Sequence, residues 1–141
     1  MKRVILTGLI MVLISLAALN IGCKSPVNSV PVTIKTGAAM LEFSVQPVGA
    51  KALSALSVRP VVTVEDAFGN IVTDSTAKVT VNIVGGTPEA ILYGETTVQT
   101  VNGVANFTNL SIDLAGPYYT LIATSSGLSS ASSEMFNISA R

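Results

Sequence analysis

The chain has 141 residues, with eight basic and eight acidic side chains, one Cys, no His and no Trp. The balanced charge supplies no field for nucleic acid or for an anionic membrane surface. Without His, and with a single Cys, the chain excludes a Ser–His–Asp triad, a Cys–His pair, a His or Cys zinc site and any internal disulfide.

Met1-Lys2-Arg3 is a short positive start, followed by sixteen almost wholly apolar residues from Val4 to Leu19, "VILTGLIMVLISLAAL". A bilayer span needs about 20 residues, so the run suits the helical hydrophobic core of a signal segment over residues 1–22. Small residues follow, ending in Gly22 before Cys23. The stretch resembles a bacterial lipoprotein signal, in which a lipobox closes on a small residue and Cys. That resemblance implies cleavage between Gly22 and Cys23 and a diacylglyceryl group on the Cys23 sulfur. It departs at Asn20, where the family usually has Leu, because Leu19 falls one residue early. The alternatives are a secretory signal cut near Ser15–Ala17, with Cys23 a stray thiol, or an uncleaved anchor. Two or three acyl chains, palmitate among them, would hold the protein stably on a membrane. Lys24 stands where retained inner-membrane lipoproteins carry Asp, which favours the outer membrane or cell surface.

Removing the first 22 residues takes Lys2 and Arg3 with them, leaving six basic and eight acidic residues, net −2. Residues 23–40 carry Pro26 and Pro31 among Ser, Thr and Gly, and read as the lipidated Cys and an extended, flexible linker. Residues 41–141 are expected to form the folded domain.

From Leu41 onward, short alternating runs are separated by turn residues. Leu41, Phe43 and Val45 share one face of a predicted strand, and Val58, Pro60, Val62 and Val64 share one face of the next. "EDAFGN" at 65–70 makes a turn, with Ile71 and Val72 resuming extended chain. Val79, Val81 and Ile83 alternate with Lys78, Thr80 and Asn82 until Gly85-Gly86-Thr87-Pro88 breaks the run. Asn102-Gly103 predicts a tight hairpin joining 98–101 to 104–107. Tyr119, Leu121 and Ala123 face one way, with Tyr118, Thr120, Ile122 and Thr124 opposite. Phe136 and Ile138 share the face of a closing strand. Seven to nine short strands with regular turns predict an all-β, antiparallel β-sandwich, with a small closed barrel as the rival. Pro60 needs an edge or bulge position.

The phrases "RPVVTVEDAFGNIVTDSTAKVTVNI" and "VNGVANFTNLSIDLAGPYYTLIATSSGLSSASSEMFNIS" resemble a bacterial immunoglobulin-like repeat, similar in style to the modules of invasin-type adhesins. The likeness runs from about Leu41 to Ser139. It implies an immunoglobulin-like sandwich with a role in spacing, display or adhesion and no catalysis. This chain departs by carrying a single copy.

Candidate sites are few. Glu65, Asp66, Asn70 and Asp74 place four oxygen-bearing side chains within ten residues, part of the roughly six to eight oxygens calcium takes. Turn geometry explains the same residues: Asp66 caps its own turn, and Gly69-Asn70 supply positive φ. The turn is therefore the expectation and a calcium loop the alternative. Asp113 and Glu95 are acids that a glycosidase would need to bring together, and nothing in the sequence does so. Of Tyr118 and Tyr119, the second is expected to return its hydroxyl to the backbone as a sandwich corner tyrosine, and the alternative is a binding aromatic. Asn106, Asn109 and Asn137 begin formal glycosylation sequons and are assigned no role. The expectation is a monomeric, non-enzymatic domain with no cofactor, lipid-anchored through Cys23 on the extracytoplasmic side of a bacterial envelope. Its partners would be the membrane and a surface protein or glycan, with no nucleic acid. A glycan- or calcium-binding module, or a fragment of a larger repeat array, is the alternative.

Overall fold

A computed structural model describes residues 37–141, and these contain ten strands and no helix. The expected signal segment, the expected cleavage position at Gly22–Cys23 and almost all of the expected linker lie outside the described residues. Strand β1 spans Met40–Val45, β2 Val61–Glu65 and β3 Lys78–Gly85. They are followed by β4 (Leu92–Tyr93), β5 (Thr97–Gln99), β6 (Val104–Asn106) and β7 (Ser111–Ile112). The chain closes with β8 (Gly116–Thr124), β9 (Ala131–Ser132) and β10 (Phe136–Ile138). The sheet order is β1-β2-β6 in one sheet and β10-β8-β3-β5 in the other, with β9 also on β8, while β4 and β7 form a two-stranded pair. All these strand pairs are antiparallel.

One apolar core joins the two main sheets, as in a β-sandwich. The first sheet contributes Leu41, Phe43, Val62, Val64 and Ala105; the second contributes Val79, Val81, Tyr119, Leu121, Ala123, Phe136 and Ile138. Alternation explains the choice of residues, because successive side chains of a strand leave opposite faces. In β8, Tyr119, Leu121 and Ala123 are buried while Tyr118 and Thr124 are exposed, so the predicted face is the core face. Among the described residues, every buried side-chain nitrogen or oxygen has a hydrogen-bond partner.

Several local expectations change for physical reasons. Val45 is not on the core face with Phe43, because a register shift between Phe43 and Val45 turns it outward. Val58 lies before β2, bridges Val48 instead, and is exposed. Pro60 is buried immediately ahead of β2, where no ladder N–H is required, and its carbonyl accepts the Phe107 N–H at 3.1 Å. Ile71 makes one isolated bridge to Glu65 rather than a strand.

The Asn102-Gly103 turn forms, with φ of 52° and 76° and reciprocal hydrogen bonds between Val101 and Val104. It does not open into a two-stranded ribbon. β5 pairs with β3 and β6 pairs with β2, so the turn carries the chain from one sheet to the other. The Thr100 hydroxyl donates to the Ser75 carbonyl at 2.9 Å, tying the residue after β5 to the segment that enters β3. A Cβ on Gly103 would strike the Val72 carbonyl, so both φ and space require glycine there.

Candidate interaction surface

Strand directions define two ends of the sandwich. Met40 pairs with Glu65, Lys78 with Gln99, Thr63 with Val104 and Thr80 with Thr124, which places the chain entry and the turns at 66–70 and 101–104 at one end. Gly85 pairs with Tyr119 and Ile138 with Gly116, which places the loops at 86–91 and 113–118 at the other. The nine residues of β8 separate the ends by about 30 Å.

At the far end three segments are tied together by hydrogen bonds. Leu53 N–H donates to Ile112 O at 2.8 Å, and Leu56 N–H donates to Leu110 O at 2.8 Å. Ile91 N–H donates to Asp113 Oδ1 at 2.8 Å, and the Thr87 hydroxyl to Ala115 O at 2.6 Å. The network carries exposed apolar groups outward: Leu53, Ile91, Leu114 and Tyr118, with Tyr93 beside them on β4. Leu53, Glu89 and Tyr118 have φ near +65°, a region that bulky L-residues rarely adopt. Such strain persists only where surrounding structure over-determines it, and it gathers at functional sites. At Tyr118 the N–H donates to Asn137 Oδ1 at 3.0 Å.

Tyr119 sits beneath this surface. Its ring is fully buried and tilted against Phe136, with centroids 6.2 Å apart, and its hydroxyl donates to Leu114 O at 2.8 Å. The bond pins the loop before β8 to the core, the geometry expected of a corner tyrosine. A Cβ on Gly86 would fall within the Tyr119 ring, so this glycine lets the neighbouring loop close over it.

The acidic residues singled out from the sequence are distributed differently. Asp66 is buried, and its carboxylate accepts the N–H groups of Phe68 at 2.8 Å and Asn70 at 3.0 Å, together with the Asn70 amide. Glu65 Oε1 accepts the Thr63 hydroxyl at 2.9 Å, and Asp74 lies exposed further along the loop. Among the described residues, no three Asp, Glu, His or Cys side chains gather where they would hold a metal ion. Asp113 is engaged with Ile91, and Glu95 is exposed between β4 and β5.

Sequence reasoning missed Leu53, Ile91 and Leu114. A faint signal existed at Ala90-Ile91-Leu92-Tyr93, four apolar residues in a row, which an alternating strand cannot bury together. Compared with models of known protein families and with curated proteins, the chain matches none.

Proposed function

We propose that this chain is a lipid-anchored, immunoglobulin-like β-sandwich working outside the cytoplasmic membrane as a display or protein-interaction module. The observation that carries the reading is the opposition of the two ends. The chain enters at Met40, and the strained loops bearing Leu53, Ile91, Leu114 and Tyr118 lie at the other end of the sandwich. An anchor at Cys23 joins the entry end and leaves the far loops to meet a partner. The Tyr119–Leu114 hydrogen bond supports the immunoglobulin-like assignment. The sixteen-residue apolar run before Gly22-Cys23 supports the anchor.

Mass spectrometry of the protein's N-terminal peptide tests the anchor. The expected product begins at Cys23 and carries acyl chains, and Cys23→Ala should leave precursor or release protein from the membrane fraction. An unmodified Cys23 thiol, or an N-terminus near Ala18, would overturn the anchored reading.

A further inference from the structure

The entry end carries its own exposed apolar tip. Phe68 is 77% exposed, Val101 70% and Ile71 46%. Two turns bring these residues to the same place. Glu65 bridges Ile71 across the 66–70 turn, and Val101 bridges Val104 across the turn whose Gly103 backs onto Ile71 and Val72. The buried Asp66 carboxylate holds the backbone N–H groups of Phe68 and Asn70, so the phenyl ring is presented on an ordered loop. Presenting an apolar ring this way lowers the entropy lost when it is buried against something else.

The chain reaches the domain beside this tip. Ala39 N–H donates to Glu65 O at 2.8 Å, and Met40 pairs with Glu65. Cys23 and Gly37 are separated by a length of chain that spans at most about 50 Å. Charge at this end is Glu65, Asp66 and Asp74 against Lys78, which gives no attraction to anionic headgroups and leaves apolar burial as the driving force.

We infer that the tip formed by Phe68, Ile71 and Val101 docks into the interface of the phospholipid bilayer that anchors the chain. This rests on the lipid-anchor reading. Three apolar side chains bind a bilayer weakly from solution. Tethering makes the same contact intramolecular, at an effective concentration on the order of millimolar. Docking then orients the sandwich, with the Leu53–Ile91–Tyr118 end turned away from the membrane.

The chain contains no Trp, so a single Phe68→Trp substitution creates an unambiguous reporter. Full-length protein purified from membranes would be reconstituted into phosphatidylcholine vesicles, with and without lipids brominated near the top of the acyl chain. The Phe68→Trp protein should show blue-shifted emission and lose intensity to the brominated lipid. Tyr118→Trp, at the far end, should keep the emission of a water-exposed indole. Adding Val101→Asp to the Phe68→Trp protein should reverse both the shift and the loss. Water-like emission from Phe68→Trp, or equal quenching at both positions, would overturn the docking. So would a blue shift that grows with protein concentration and ignores bromine, because a second copy would then cover the tip. The N-terminal mass from the same preparation separates the two ideas. Acylated Cys23 without quenching removes the docking and leaves the anchor. Quenching with unmodified Cys23 removes the lipidated anchor and leaves the docking.

Discussion

Asp66 is a single side chain at which a sequence motif has two explanations. A carboxylate near a Gly-Asn turn suits both calcium and capping, and in the folded chain its Oδ1 accepts the N–H groups of Phe68 and Asn70 while its Oδ2 accepts the Asn70 side-chain amide. Hydrogen bonds to a charged acceptor are worth about 1.5–3 kcal/mol each. Asp66→Ala is therefore expected to destabilise the domain by about that much, and Asp66→Asn by less, because one acceptor oxygen remains. Urea denaturation of the three proteins checks the order. With this carboxylate engaged by the backbone and side chain of its own turn, adding millimolar calcium or chelator should leave the melting temperature of the parent unchanged. A site held at 100 times its dissociation constant would add about 2.7 kcal/mol; an upward shift that disappears in Asp66→Ala would make this loop a metal site. The capping by Asp66 was legible because turn chemistry is local, although the positive φ expected of Gly69-Asn70 falls on Gly69 alone. The positive φ of Leu53 and Glu89 also belongs to local turns, closed by the Ser54 N–H on Lys51 O and the Ala90 N–H on Thr87 O, but no Gly or Asn marks either position in the sequence; at Tyr118 the N–H meets Asn137, distant in sequence.

At the level of the strand, alternation located the core where pairing is regular and lost it where pairing is interrupted. β8 pairs continuously with β3 from Tyr119 to Thr124, and its predicted inward face is the buried one. In β1 the same rule fails at Val45, one residue past the register shift, because an irregular residue exchanges the two faces. The Asn102-Gly103 signal specified the turn and left open which sheets its arms would join, since pairing partners are set by long-range packing. β8 supplies the sharpest test of register. Leu121 is fully buried, so Leu121→Ala should cost about 2–5 kcal/mol through lost burial and a residual cavity. Thr120 lies on the opposite face, and Thr120→Ala should cost well under half as much. Equilibrium denaturation decides the matter: equal losses would mean that the faces of this strand are exchanged.

Taken whole, the domain has no place to divide. Its core draws on both main sheets and on the intervening segment through Ala52 and Leu56. The Asn102-Gly103 turn crosses between the sheets, and the Ser133 hydroxyl accepts the Leu121 N–H at 2.9 Å, tying the last strands to the central one. Neither sheet can therefore expose its inner face without exposing that of the other. The domain is expected to unfold in a single step, with stability lost from both sheets together. Two signals can be compared. Far-UV circular dichroism follows backbone pairing throughout the chain. Near-UV dichroism follows tyrosine packing, and of Tyr93, Tyr118 and Tyr119 only the last is buried. The two curves should superimpose in urea. Val62→Ala in one sheet and Leu121→Ala in the other should each lower the same midpoint without changing the slope. Near-UV signal lost at lower urea than far-UV signal would instead show that Tyr119 and its sheet loosen first. A second transition in Val62→Ala alone would show that the β1-β2-β6 sheet separates from the rest, and the single shared core would then be the wrong description of what holds this fold together.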